Sequence, residues 1–314
     1  MNLHSEPKLF SNTLRAASDH LRIRQEFVEK DYWITLVLHR LAVSPYANDT
    51  VFKGGTSLSK AYNLIDRFSE DVDLAVIVNP DYTGNQIKTR LKGVFDSITG
   101  ELAERPEEGI TSKGSQFRRS LFEYNSVEKG IKNNQIIVEV NSFANPFPNQ
   151  QALIRSMVYD FLNERGSRDI IQQFGLESFY LNVLSKRQTL LEKLVALIRF
   201  SFDEHVIISL SGKIRHFYDL YYLVHDSDCK EYVNSNEFRQ HVLELLQHDQ
   251  EVFDDPKGWK TKAMEESPLL LRFPVLWSEL KVKYTSELGM LAYSAIPGEQ
   301  EIADTFAHFI KVVL

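Results

Sequence analysis

VFKGGTSLSKAYNLIDRFSEDVDLAVIV, residues 51–78, sets a glycine pair and a hydroxyl-bearing turn ahead of a helix, then places two aspartates on a strand. Val51 and Phe52 read as the end of a short apolar strand. Gly54 and Gly55 permit a turn that a residue with a side chain makes only at a cost. Thr56 or Ser57 is expected to cap the helix that LSKAYNLI forms. Unpaired N–H groups and a partial positive charge at a helix N-terminus suit an anion, and Lys60 lies about one turn further on. On its own the glycine pair is a strand-to-helix turn with a good cap. The aspartates change that reading. Asp71 and Asp73 stand two apart in a β-branched, apolar run, so their side chains share one face. Two carboxylates side by side repel unless a cation lies between them, and hard oxygen donors favour Mg2+ or Mn2+. The competing reading is a strand that starts at a solvated edge. The order of parts suits a nucleoside triphosphate held at the turn and a metal on the strand.

A third carboxylate stands in QIIVEVNSF, residues 135–143, which alternates like a half-buried strand. Glu139 points away from Val138 and Val140. Beside the Asp71 strand it would complete a metal cluster or take a proton from an attacking hydroxyl. Elsewhere it is an ordinary exposed position.

Two later segments read as helices. In SKRQTLLEKLVALIRF, Ser185 and Gln188 have capping-box spacing, and Leu190, Leu194, Leu197 and Ile198 form one stripe. Lys193 lies off or beside that stripe and by itself reads first as a surface lysine, with a phosphate-binding cation as the alternative. In the second, Arg215 and Asp219 are four apart and suit a surface ion pair of little energy, or an aspartate that orients a basic group. Phe217, Tyr218, Tyr221 and Tyr222 read as core. Glu29, Lys30 and Asp31 precede Tyr32 and Trp33 in an earlier helix, where the aromatics pack on the sheet and the charged trio is free to pair with basic residues.

GGTSLSK followed by RFSEDVDL resembles the AbiEii/AbiGii nucleotidyltransferase toxins, the MenT-like branch of the polymerase-β-like nucleotidyltransferases. VEKDYWITLVL (28–38), LLEKLVALIRF (190–200) and KIRHFYDLYYLV (213–224) resemble further motifs of that family, so the likeness spans roughly residues 25–225. It implies an α/β (α+β) fold, a mixed sheet flanked by helices, followed by a helical C-terminal region. It implies a nucleotide site at Gly54, Gly55, Thr56, Ser57, Lys60, Ser69 and Lys193, and metal ligands Asp71, Asp73 and Glu139. Lys193 and Asp219 would join these carboxylates in catalysis, and Ser69 would be open to modification. Many relatives carry Asp where Glu139 stands. The implied activity moves an NMP from an NTP to a hydroxyl, at the 3′ end of a tRNA, with Mg2+ or Mn2+. The implied biology is a toxin held by an antitoxin, or phage defence.

The 314 residues suffice for two lobes, expected at 1–180 (α/β) and 181–314 (helical, contributing to the active site), with NPFPNQ at 145–150 as the clearest turn-rich break. A lone cysteine, Cys229, excludes an internal disulfide and suits a reducing cytoplasm. The N-terminus lacks the apolar core of a signal peptide, and no stretch approaches a membrane span. His205 and His216 show no metal-ligand spacing. A net charge of −7 disfavours a protein that binds RNA over its whole surface. Local basic groups remain: Lys113, Arg118 and Arg119; Lys186, Arg187 and Lys193; Lys88, Arg90 and Lys92. A small or protein acceptor stays open. So do two other classes, a regulator that binds nucleotide without transfer and a phosphotransferase that moves a γ-phosphate.

Overall fold

The computed structural model describes residues 1–127 and 134–314. These fall into two compact units, Met1–Asn63 with Phe68–Leu184, and Leu64–Arg67 with Ser185–Leu314.

The first unit runs α1 (Pro7–Leu21), α2 (Gln25–Ala42), β1 (Thr50–Lys53), α3 (Gly54–Lys60), β2 (Asp71–Val76), α4 (Gly84–Thr99), β3 (Ala103–Arg105), β4 (Ser112–Lys113), β5 (Phe117–Glu123), β6 (Gln135–Asn141), β7 (Asn149–Ile154), α5 (Met157–Glu164), α6 (Arg168–Gln173) and β8 (Phe179–Leu184). The strands form one mixed sheet in the order β3-β5-β6-β2-β1-β8-β7, with β4 beside β5. β2 runs parallel to β6 and antiparallel to β1, and β1 runs parallel to β8. The aspartate strand is therefore interior, not a solvated edge. A division at residue 180 would cut β8; the observed one falls after Leu184. NPFPNQ leads into β7 and separates no domain.

Alternation fixes how β2 and β6 are faced. Val72, Leu74, Val138 and Val140 are fully buried in one cluster with Leu38 and Val37 of α2 and Val94 and Ile98 of α4. Each buried aliphatic side chain contributes about 1.5–3 kcal/mol, and a one-residue slip would turn the whole set to the other face. The residues between them, Asp71, Asp73 and Glu139, are thereby committed to the opposite face.

The helix α2 is buried nearly all round, including Glu29, Lys30 and Asp31. A buried charge is tolerated only when paired, and each has a partner. Glu29 accepts from Ser126 Oγ and Val127 N, and Lys30 pairs with Glu70 at 2.9 Å. Asp31 accepts from Lys60 Nζ at 2.5 Å and from Met157 N. Tyr32 and Trp33 are core residues, as their aromatic character suggested.

The second unit is helical: α7 (Lys186–Ser201), α8 (Val206–Ser211), α9 (Ile214–His225), α10 (Ser227–Val233), α11 (Phe238–Val252), α12 (Pro268–Leu291) and α13 (Glu299–Val313). Ser185 caps α7 by accepting from Gln188 N. Phe217 packs against Phe273, Trp277 and Phe306, tying α9, α12 and α13 together. Phe217 and Tyr218 are fully buried, while Tyr221 and Tyr222 are half-buried. The segment 64–67 joins this unit through a bridge between Arg67 and Ala292 and a bond from Tyr293 N to Asp66 O. Among the described residues no helix is long and apolar enough to cross a membrane.

Candidate active site

Strand register builds a row of charges across the first unit's sheet. Lys53 of β1 lies opposite Asp73 of β2, Asp73 beside Glu139 of β6, and Glu139 opposite Arg119 of β5. Register partners share a face, with Cβ atoms about 4.5–5.5 Å apart. The row therefore reads cation, carboxylate, carboxylate, cation. Asp71 sits on the same face one pleat back along β2, roughly 6.6 Å from Asp73. Hydrophobic burial on the reverse face holds all of these groups in place.

The glycine turn meets this row directly. Gly54 follows Lys53 with φ +79°, a region that favours glycine. A Cβ there would collide with Asp73 Oδ2. The bare Cα is the cradle in which the Asp73 carboxylate lies. Thr56 Oγ1 donates to the Asp71 backbone carbonyl at 2.5 Å, stitching α3 to the start of β2.

The expected cap is corrected. α3 begins at Gly54, so Thr56 and Ser57 lie inside its first turn; Lys53 holds the cap position, with no side-chain cap bond. Ser57 Oγ donates back to Gly54 O at 2.8 Å. The helix is also shorter than LSKAYNLI suggested, ending at Lys60. The Lys60 ammonium is engaged by Asp31, and both side chains are 7% exposed. That pair clamps α3 to α2. Ser69 is buried, one residue before the Glu70 that pairs with Lys30.

Glu139 lies in a perturbed environment. Burial pushes its carboxyl above the usual range, and the Asp71 charge adds to this. Lys53, Arg119 and a hydrogen bond from Asn141 pull the other way. Asn141 is fixed in turn, its Oδ1 accepting from Ala144 N at 3.1 Å. The chemistry of the donor set fits a hard divalent cation: carboxylate oxygens on one face, with cations at the two ends to temper their repulsion.

Asp226, Asp228 and Cys229 bring one donor atom each within 4.8 Å of one another. Their surroundings make them structural. Asp226 caps α10 and pairs with Lys186, Asp228 pairs with Arg187, and burial pushes the Cys229 thiol up to about 12.

In the second unit, Lys193 and Asp219 come together around a residue the sequence reading passed over, Arg67. Arg67 Nε and Nη2 each donate to Asp219 at 2.7 Å as a fork, and Lys193 Nζ lies 2.7 Å from Asp219 Oδ2. All three are nearly closed to solvent. Burial alone would raise the Asp219 carboxyl, but the two cations outweigh it and hold the group far below the usual range. Two of the alternatives left open by the sequence drop out. Lys193 is not a surface lysine, and Asp219 does not pair with Arg215, which instead lies 3.5 Å from Glu287. His216 stands by this triad; burial, then Lys193 and Lys213, lower its pKa well below the ordinary value, so the imidazole is neutral.

Lys53, Arg119, Asn141 and Arg67 were missed or undervalued in the sequence. Strand alternation was the available signal for Arg119. In FRRSLFE, Arg118 and Arg119 must face opposite ways; Arg118 is buried over Phe95, and only Arg119 shares the face of Glu139.

A profile described as "Nucleotidyl transferase AbiEii toxin, Type IV TA system" matches residues 36–309. The chain belongs to the AbiEii family. The match continues well past residue 225, where the motif likeness had stopped. An AbiEii protein is a nucleotidyltransferase toxin of a type IV toxin–antitoxin system, which implies an NTP substrate and an antitoxin partner. Among solved structures, MenT4, a nucleotidyltransferase toxin from Mycobacterium tuberculosis H37Rv, superimposes with a TM-score of 0.50 at 16% identity. The superposition covers 96% of this chain and 98% of that one, and it shows the fold. No curated protein sequence matches the chain.

Proposed function

We propose that the first unit transfers an NMP from an NTP to the 3′-terminal hydroxyl of a tRNA, with Asp71, Asp73 and Glu139 holding Mg2+ or Mn2+. The observation that carries this reading is the register: Asp73 lies beside Glu139 on one face, against the bare Cα of Gly54. A bound divalent cation would supply Lewis-acid stabilisation of the charge on the phosphate oxygens. The backbone from Gly54 to Ser57, with Ser69 nearby in sequence, is assigned to the phosphates.

The acceptor oxygen bonds to the α-phosphorus, the bond from that phosphorus to the bridging oxygen breaks, and pyrophosphate leaves. The hydroxyl proton passes to Glu139, the carboxylate next to Asp73 on the face where the acceptor approaches. Lys60 is spent on Asp31, and Lys193 and Asp219 on each other. This reading therefore assigns them structural tasks instead of steps in transfer. Transfer to tRNA makes the protein a translation-directed toxin, cytoplasmic and suited to phage defence.

The test is incubation with each α-labelled NTP, Mg2+ and total tRNA, with Asp71→Ala in parallel. Label on tRNA from the wild type alone is expected, together with weaker Mn2+ binding in the variant. Full transfer by Asp71→Ala would sink the mechanism. A γ-label on product in place of an α-label would reassign the chain as a phosphotransferase. Tight NTP binding with no product would mark a regulator.

A further inference from the structure

On the proposed reading, the sheet face has a donor end and a far end. The donor end is β1, where Lys53 leads into the glycine turn. The far end is β5. Lys53 and Arg119 bracket the two carboxylates across three interstrand spacings, roughly 14 Å. Both act on Glu139, yet cations that far apart have room to meet two different bound anions. One anion is the NTP; in-line attack requires the acceptor to approach from the side opposite the leaving pyrophosphate.

Arg119 is built to receive something. Its side chain is 34% exposed, and its Nε lies 3.9 Å from Glu139 Oε2, too long for a hydrogen bond. That Nε is closed to solvent and has no acceptor among the described residues. Among the described residues the guanidinium is thus held near Glu139 by charge, with its Nε donor uncommitted. Two residues back on the same face stands Phe117, tilted against Phe143 with ring centroids 6.0 Å apart, both rings half-buried. A guanidinium beside an accessible aromatic ring is the pairing that holds single-stranded nucleic acid, by phosphate contact and base stacking.

We propose that Arg119 and Phe117 form the acceptor subsite, with Arg119 gripping the phosphodiester next to the attacking 3′-hydroxyl and Phe117 stacking a terminal base. Arg119 binds acceptor and takes no part in bond making. The subsite selects an RNA 3′ end over a free nucleoside, because only the former carries that phosphodiester. This inference rests on transfer to an RNA hydroxyl as proposed above.

The experiment measures KM for a ribonucleoside, for the matching dinucleoside monophosphate and for tRNA, each with labelled NTP, in wild type and Arg119→Ala. The wild type should favour the dinucleotide over the nucleoside. Arg119→Ala should raise the KM for dinucleotide and tRNA roughly 10- to 100-fold, the scale of one charge-assisted contact, with the KM for NTP unchanged and the preference for dinucleotide gone. If Arg119→Ala does not fold, Arg119→Lys is read in the same way, with a smaller rise. A variant with unaltered acceptor KM overturns the subsite. So does a rise in KM for NTP, which would move Arg119 to the donor side, or a fall in kcat alone, which would make it only a support for Glu139. Wild-type enzyme that labels a protein, or labels no RNA, defeats the underlying reading instead.

Discussion

Two of the protein's charged clusters differ in how exposed their charges are and how closely they are bonded. On the first unit's sheet, Lys53, Asp73, Glu139 and Arg119 stand in one row across four strands, with Glu139 24% and Arg119 34% exposed and 3.9 Å apart. In the second unit, Arg67, Lys193 and Asp219 are nearly closed to solvent and lock together at 2.7 Å. On the proposed function, the half-exposed row would exchange internal partners for a cation or an anion. The tight, buried triad has no such freedom, and breaking it leaves charge stranded in a low dielectric.

The sharpest way to break this contrast is to remove one aspartate from each cluster. Asp73→Ala should lower transfer at least about 1000-fold, the several kcal/mol that a bound cation supplies, while its thermal midpoint stays close to wild type. Asp219→Ala should cost about 3–5 kcal/mol of stability in urea titration, because two buried cations lose their counter-ion. A wild-type melting curve for Asp219→Ala would mean that the triad is dispensable. The pH dependence sharpens the point. The folded-state pKa of Asp219 is depressed, so its contribution is present above the unfolded value of about 3.9 and is lost as pH falls toward the folded one. The stability gap between wild type and Asp219→Asn should be widest above pH 5 and should narrow below about pH 4; a gap that widened with acid would reverse the assignment.

Gly54→Ala is expected to act at an intermediate scale. The positive φ and the collision with Asp73 should cost about 1–3 kcal/mol of strain. A displaced Asp73 should lower kcat on the order of 100-fold, as steady-state transfer assays would show. Unchanged kcat would detach the glycine turn from the site. The smallest effect is reserved for Arg215→Ala, whose partially exposed pair with Glu287 at 3.5 Å should contribute under about 1 kcal/mol. A larger loss in the same melts would mean that Arg215 takes part in the buried network.

Much of the first unit's candidate site was legible because strand chemistry is local. Period-two alternation assigned Asp71, Asp73 and Glu139 to faces, and the glycine pair marked the turn. Other features depended on where the helix began. Thr56 and Ser57 look like caps in any local reading, yet the strand ends so close to Gly54 that the helix starts there and leaves both inside its first turn. In the second unit, four-residue spacing offered Arg215 as one partner for Asp219. The structure instead turns Asp219 inward, to a cation 152 positions away in sequence.

By itself the sequence determined the mixed α/β and helical character, the family motifs, and the common face of the two aspartates, since each of these follows from patterns within a few residues. Only the tertiary structure decided that Asp73 stands between Lys53 and Glu139, that Arg119 and not Arg118 joins them, that Lys60 is claimed by Asp31, and that Arg67 completes a buried triad. Pairing of charges depends on which strands become neighbours and which side chains lose their water, and neither property is written in the spacing of residues along one chain.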